Sequence, residues 1–146
     1  LLICVLISRC HADDEITHEN YHNNNVFFPG AAYDVKVDGT LTCSTPFTYA
    51  IYFEELDDTM LTHDPIAVVG PKFSKGPSAK YVVQGEAEDG DIFQVWVEPR
   101  IAFYHNCGGK HSCVCKEWSV DRGFWKTLNV NLETTDLKRC DVCDHI

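Results

Sequence analysis

Residues 33–43 read YDVKVDGTLTC, and this stretch decides the fold class. Apolar or small residues alternate with polar ones along it. The residues on the apolar side of the alternation are Val35, Val37, Gly39, Leu41 and Cys43. A period of two places the two sets of side chains on opposite faces of an extended chain. The stretch therefore predicts a half-buried β-strand.

Shorter copies of this pattern run through the rest of the chain. Residues 47–54 alternate after Pro46, and the other strand candidates are 66–70, 79–85, 92–97 and 101–106. A seventh candidate carries its apolar side chains at Phe124, Leu128, Val130 and Leu132. Turns with Pro or Gly separate the candidates, and no segment keeps a helical period for three turns; residues 57–63 hold one turn of helix at most. Seven short strands predict an all-β sandwich or barrel.

The first 32 residues are expected to lie outside the folded domain. Residues 1–7 are an apolar run that breaks at 8–12 and is followed by acidic residues, as at the end of a signal peptide cleaved after Ala12. An apolar first strand is the alternative. Residues 13–32 lack any period and are predicted to be a flexible arm, so the domain covers 33–146. No transmembrane segment is predicted, because a span needs about 20 apolar residues.

The charge of the chain bears on its partners. It carries 12 Lys and Arg against 22 Asp and Glu, a formal net charge of −10. A negative field repels phosphate backbones. Nucleic acid is therefore not an expected partner.

Six of the eight cysteines lie beyond the predicted signal peptide. They are Cys43, Cys107, Cys113, Cys115, Cys140 and Cys143. An even number in an oxidising compartment favours three disulfides. Zinc is the alternative, because His105 and His111 lie close to three of these cysteines and the last two have the Cys-x-x-Cys spacing. The signal peptide favours disulfides, since thiols are oxidised in the secretory pathway.

The sequence does not choose among the 15 pairings that six cysteines allow. Cys113 and Cys115 are separated by one residue, and a ring that short is strained, so each is expected to find a different partner. Our hypothesis pairs Cys43 with Cys107 and joins Cys113 and Cys115 to Cys140 and Cys143.

Four stretches taken together point to a family. They are 35–43 with the acidic strand end 54–58, then 81–88 (YVVQGEAE), 98–107 (EPRIAFYHNC) and 131–133 (NLE). In order and spacing they resemble the nematode transthyretin-like family over about residues 33–140. The resemblance implies a secreted, transthyretin-like (prealbumin-like) two-sheet β-sandwich of about seven strands and, from a few relatives, an extracellular binding role. The chain departs from the family pattern between Cys107 and Phe124, where Cys113-x-Cys115 and a Gly-rich loop suggest an added disulfide.

Catalysis is not expected from the motifs present. The transthyretin-fold enzyme that hydrolyses 5-hydroxyisourate uses His and Arg side chains and a Tyr-Arg-Gly-Ser tail, and this chain ends CDHI. A hydrolase of that type, in which Arg100 and histidines cluster, remains the alternative.

Acidic clusters at 54–58 and 86–91 offer oxygen ligands for calcium, but neither has the EF-hand spacing, and solvated turn residues are favoured. No cofactor is predicted.

One basic loop stands out in the acidic chain. Residues 70–80 read GPKFSKGPSAK, with an aromatic between lysines, which suits lipid headgroups or an acidic partner; an ordinary exposed hairpin is favoured. Trp118 is expected to be the most exposed of the tryptophans. The sequence thus predicts a secreted, disulfide-stapled, non-catalytic binding protein whose partner is an extracellular protein or a lipid surface; it leaves the binding residues and the oligomeric state open.

Overall fold

The computed structural model describes residues 32–57, 62–88, 96–141 and Cys143. The predicted signal peptide, residues 13–31 of the predicted arm and residues 92–95 of one predicted strand lie outside the described residues. Within the described part the chain forms nine strands and one short 3₁₀ turn at Cys107–Gly109.

The first four strands are 11 to 13 residues long, and the other five have 2 to 7 residues. The first five are β1 (Ala32–Thr42), β2 (Phe47–Asp57), β3 (Thr62–Ser74), β4 (Ser78–Glu88) and β5 (Pro99–His105). The other four are β6 (Ser112–Glu117), β7 (Phe124–Thr127), β8 (Val130–Asn131) and β9 (Lys138–Arg139). None of the described residues forms a helix long and apolar enough to cross a membrane.

Two sheets pack face to face. The small sheet has the order β4-β1-β7, and β8 also pairs with β1. The large sheet has the order β3-β2-β5-β6-β9. Strands β7 and β8 run parallel to β1, while the other pairings are antiparallel. The predicted all-β two-sheet sandwich is therefore confirmed.

The core lies between the sheets and follows from the alternation in the sequence. In β1, Val35, Val37 and Leu41 are buried while the intervening residues are more exposed. The facing strands β2 and β5 add large side chains from the same period. The largest of these are Phe47, Ile51, Phe53, Ile101 and Phe103. Removing this apolar area from water stabilises the fold by roughly 25 cal/mol per Å².

Three disulfides join the six described cysteines. Cys43 is bonded to Cys107 at the β1 end of the core, with 6.0 Å between their Cα atoms. Cys113 is bonded to Cys143 and Cys115 to Cys140, with Cα separations of 5.6 and 5.3 Å. These pairs agree with the hypothesis drawn from the sequence.

The two C-terminal disulfides build a second, smaller cluster on the outer face of the large sheet. Alternation along β6 turns Val114 toward the core and its two cysteine neighbours outward. There they pack with Cys140 against Ala50, Ala102 and Tyr104, which are all buried. The C-terminal segment thus covers part of a sheet face that would otherwise meet water.

The prediction for β3 was wrong in its bounds. The strand covers Thr62–Ser74, whereas 66–70 was predicted. The ends of the segment 57–63, for which at most one turn of helix was suggested, are strand, and residues 58–61 lie outside the described residues. Pro65 and Pro71 were taken as strand breaks. They are tolerated because β3 is the edge strand of the large sheet, where a missing N–H costs no ladder hydrogen bond on the solvent side.

Three other boundaries also differ from the sequence predictions. Residues of strand β6 were assigned to a Cys-rich loop. Strand β1 begins at Ala32, which was placed in the predicted arm. The seventh predicted strand divides into β7 and β8, with Leu128 and Asn129 between them. There Leu128 donates its N–H to the Asp38 carbonyl instead of continuing the ladder.

Candidate binding site

The outer face of the small sheet carries a row of polar side chains and one large aromatic. Alternation along β1 turns Lys36 and Asp38 away from the core. Register then places Lys36 between Gln84 of β4 and Trp125 of β7, and Asp38 beside Thr127. We call Lys36, Asp38, Gln84, Trp125 and Thr127 the Trp125 face.

Trp125 is exposed but held in place. Trp125 is 66% exposed, one of the highest values for a large apolar residue among those described. The indole Nε1–H donates to Asp38 Oδ2 at 2.8 Å, and Lys36 Nζ lies 3.8 Å from the ring centroid, a cation–π distance. One edge and one face of the ring are thereby contacted, although the residue as a whole stays largely exposed.

Asp38 organises this arrangement. Its second oxygen accepts a hydrogen bond from the Thr127 hydroxyl at 2.8 Å. Hydrogen bonds from Trp125 and then Thr127, with the charge of Lys36, lower the pKa of the Asp38 carboxyl below its ordinary value. The carboxylate is therefore ionised at neutral pH, which both hydrogen bonds require of an acceptor.

Strand β7 is fixed to β1 by a close approach below the face. A Cβ on Gly39 would lie 2.0 Å from the Leu128 carbonyl oxygen, so only glycine lets the two segments come this near. That oxygen accepts a hydrogen bond from the Tyr81 hydroxyl at 2.6 Å. Tyr81 is itself in the core, where its ring packs on Phe103 with centroids 5.2 Å apart.

A depression beside Trp125 completes the candidate site. Its volume is about 590 Å³, within the range of small-molecule sites. The depression is lined by Asp34, Val35, Lys36, Gln84, Gly85, Gly123, Phe124 and Trp125. The backbone of Gly123 passes close to Asp34: a Cβ on Gly123 would lie 2.9 Å from the Asp34 carbonyl oxygen. The walls are therefore mostly apolar, with the rings of Phe124 and Trp125, and carry carboxylate, amide and ammonium groups among them.

The acidic residues of β2 are not the solvated turn residues that the sequence favoured. Glu54 and Glu55 are both buried, Glu55 to 2% exposure. Glu54 forms an ion pair with Arg100 across the β2–β5 register at 3.7 Å. Glu55 Oε1 accepts the backbone N–H of Glu98 at 3.3 Å. Burial of these carboxylates is tolerated because each has such a partner.

The two acidic clusters do meet, at a cleft of about 270 Å³ lined by Glu55, Asp64, Pro65, Ile66, Glu86 and Glu88. The described carboxylate oxygens of this cleft do not converge to the separations of a metal site. Within the described ranges, the group whose ligand atoms come within 4.8 Å of one another is Cys43, Cys107 and Glu133, and its two sulfurs form a disulfide. Asp58, Asp89 and Asp91 lie outside the described residues.

The residues considered for catalysis or zinc binding are apart or already bonded. Arg100 and His105 lie at opposite ends of β5. His105 is buried, its Nδ1 accepts the Cys107 N–H at 3.2 Å, and burial lowers the pKa of the imidazole. His111 is exposed. The zinc alternative needs thiolates, whereas all six described cysteines are in disulfides.

The basic loop forms the turn that carries the chain from β3 in the large sheet to β4 in the small sheet, so it is not the hairpin that the sequence favoured. Lys72, Lys75 and Lys80 are exposed there, and Phe73 is 66% exposed. The loop thus presents an aromatic ring to solvent between lysines, as its sequence suggested.

The expectation for the tryptophans was wrong. Trp118 is half-buried and packs on Phe124, with ring centroids 5.5 Å apart, whereas Trp96 is 44% exposed and Trp125 more so. The sequence held a signal for Trp125: Phe124 and Leu128 were placed on the inner face, and alternation puts the next residue after Phe124 outside. Its partners come from β1, 87 and 89 positions away, and were not predictable.

Comparison of the chain with protein-family models, with curated proteins and with solved structures finds no match.

Proposed function

We propose that this chain is a non-catalytic extracellular binding protein that contacts its partner through the Trp125 face. The observation that carries the proposal is the exposed indole of Trp125, held by Asp38 and Lys36. A side chain fixed before binding loses little conformational freedom on binding, which favours affinity. Tryptophan is also among the residues that contribute most to binding energy in interfaces.

An extracellular location is supported by the cysteines. Three disulfides suit an oxidising compartment, and cytosolic proteins rarely keep them. The apolar run at 1–7 and the small residues before Asp13 support secretion independently. The resemblance of the sequence to the nematode transthyretin-like family belongs to the same proposal.

A non-catalytic role is supported by the positions of the reactive groups. Arg100 is paired with Glu54, and His105 lies at the other end of its strand with its Nδ1 already accepting a hydrogen bond. The described cysteines are all bonded, so a thiol nucleophile is missing from this part of the chain.

The proposal is tested by retention on extracellular surfaces. Fluorescently labelled protein is incubated with cell surfaces and extracellular matrix, and the bound fraction is compared among wild type, Trp125→Ala and Trp96→Ala. We expect Trp125→Ala to reduce retention about tenfold or more, because it removes the fixed aromatic. Trp96→Ala is the matched control, since it removes another exposed tryptophan. Equal retention of all three proteins would remove the Trp125 face from consideration.

A second candidate is binding to a lipid surface through the turn that connects β3 to β4. Phe73 is exposed between Lys72 and Lys75, and such a turn can insert its ring among headgroups while the lysines face anionic lipid. Vesicles of phosphatidylcholine with and without phosphatidylserine test this candidate. It predicts co-sedimentation that depends on phosphatidylserine and is lost in Phe73→Ala but kept in Trp125→Ala.

A further inference from the structure

We infer that the ligand of the Trp125 face is an uncharged glycan, with one sugar ring stacked on the exposed face of Trp125. This inference rests on the proposed function and names the class of partner. It is drawn from the chemistry that surrounds the indole.

The indole suits the apolar side of a sugar ring. A pyranose presents several C–H bonds on one flat face, and their slightly positive hydrogens are attracted to the negative face of an aromatic ring. Lys36 Nζ, 3.8 Å from the centroid, occupies one face of the indole and leaves the other for a ligand. The Trp125 Nε1–H bond to Asp38 holds the ring so that this face stays open.

The groups around the indole suit sugar hydroxyls. Asp34 offers acceptor oxygens, Lys36 offers donors, and the Gln84 amide offers both, all lining the same depression. A hydroxyl both donates and accepts, so a sugar can satisfy this mixed set, whereas a purely apolar ligand would leave it unpaired. The volume of about 590 Å³ has room for a short oligosaccharide segment.

Charge selects an uncharged glycan over a sulfated or uronic one. The chain has a formal net charge of −10, and Asp34, Asp38 and Glu86 lie on or next to this face. Lys36 is the one cation that lines the depression among the residues described, and it is already placed over the indole. Anionic glycans are therefore repelled.

A protein partner fits this face less well. Protein anchor residues insert into apolar, desolvated surroundings. Here Val82 is the exposed large aliphatic residue in register with the face, and the side chains opposite Trp125 and Thr127 on β1 are the charged Lys36 and Asp38.

The test uses immobilised uncharged oligosaccharides of glucose, mannose, galactose and N-acetylglucosamine, with heparin as the sulfated probe. We expect the oxidised wild-type protein to bind at least one uncharged probe in preference to heparin. Trp125→Ala should weaken that binding about tenfold or more, Trp125→Phe should weaken it less because stacking survives, and Trp96→Ala should leave it unchanged. Circular dichroism and intact mass confirm the fold and the three disulfides of each variant.

Chemical treatment of the surfaces that retain the protein distinguishes the proposed use of the Trp125 face from the inference that its ligand is a glycan. Periodate cleaves the vicinal diols of glycans, so prior oxidation of the surface should abolish Trp125-dependent retention. If retention still depends on Trp125 but survives periodate and is lost after protease treatment, the partner is a protein and the glycan inference is overturned while the proposed function stands. If retention does not depend on Trp125, both are overturned.

Discussion

At the scale of single residues, the hydroxyl of Tyr81 connects the core to the Trp125 face. Tyr81 is 4% exposed, burial raises the pKa of its phenol, and its O–H donates to the Leu128 carbonyl at 2.6 Å. The same carbonyl lies against Gly39, one residue from Asp38. A hydrogen bond inside the fold therefore sets where β7 lies and, through it, where Trp125 is held.

Tyr81→Phe tests this connection. The variant keeps the aromatic packing on Phe103 and removes only the donor to Leu128. We expect the free energy of unfolding to fall by about 1–2 kcal/mol, because a partly buried carbonyl loses its partner. Urea denaturation followed by circular dichroism measures the change. An unchanged free energy would show that the hydrogen bond contributes nothing to stability.

His105 gives the fold a predictable pH dependence. Burial lowers the pKa of its imidazole below the ordinary histidine value of 6.5, and the neutral Nδ1 accepts the Cys107 N–H. Below pH 6.5 the unfolded chain takes up a proton that the folded chain does not, so stability is complete above this pH and is lost as the pH falls.

The variant His105→Gln isolates this effect. We expect the free energy of unfolding of the wild type to fall between pH 7.5 and pH 5 more than that of the variant, by no more than about 1.4 kcal/mol per pH unit. Denaturant titrations at several pH values measure the difference. Parallel curves for the two proteins would mean that His105 titrates alike in the folded and unfolded chains.

At the scale of elements, β9 and the residues around it are held to β6 by the two C-terminal disulfides. Cys115 and Cys140 are 25 positions apart, and Cys43 and Cys107 are 64 apart. In the chain-entropy model a disulfide that closes a longer loop constrains the unfolded chain more.

Paired Cys→Ala variants measure these contributions. Removing Cys43 and Cys107 should lower the free energy of unfolding by about 4 kcal/mol. Removing Cys115 and Cys140 should lower it by only about 2 kcal/mol, because the remaining Cys113–Cys143 disulfide still closes the stretch of chain that contains them. The second variant should also increase the exposure of Tyr104, which packs in the same cluster. Urea denaturation of both variants tests the order; a larger loss from the C-terminal pair would show that the packing it covers outweighs loop length.

The elements also show how far sequence reasoning reaches. Strands β1 and β2 were predictable because the large apolar side chains that they send into the core recur every second residue, although β2 also buries Ala50 on its outer face. Strand β3 was underestimated because proline forbids a central strand but not an edge, and edges depend on strand order. Strand β6 was missed because Cys113 and Cys115 are buried by disulfides on the outer face, a burial that needs the partner cysteines to be placed first.

At the scale of the whole molecule, the two outer faces differ. The large sheet has part of its outer face covered by the C-terminal cluster, while the small sheet presents the Trp125 face to solvent. The sequence predicted a sandwich and a binding role but not which face is used. That choice depends on the parallel register of β1 and β7, which brings Lys36 and Asp38 to Trp125 from a distant part of the chain.

Hydroxyl-radical footprinting tests the use of this face most directly, because it needs no knowledge of the ligand. The protein is oxidised briefly while free and while retained on an extracellular surface, and peptide mass spectrometry then measures oxidation of each exposed aromatic. We predict that bound protein shows strong protection of Trp125, with Trp96 and Phe73 oxidised as in the free protein. Equal oxidation of Trp125 in both states, with protection of Phe73 or Trp96 instead, would contradict the account.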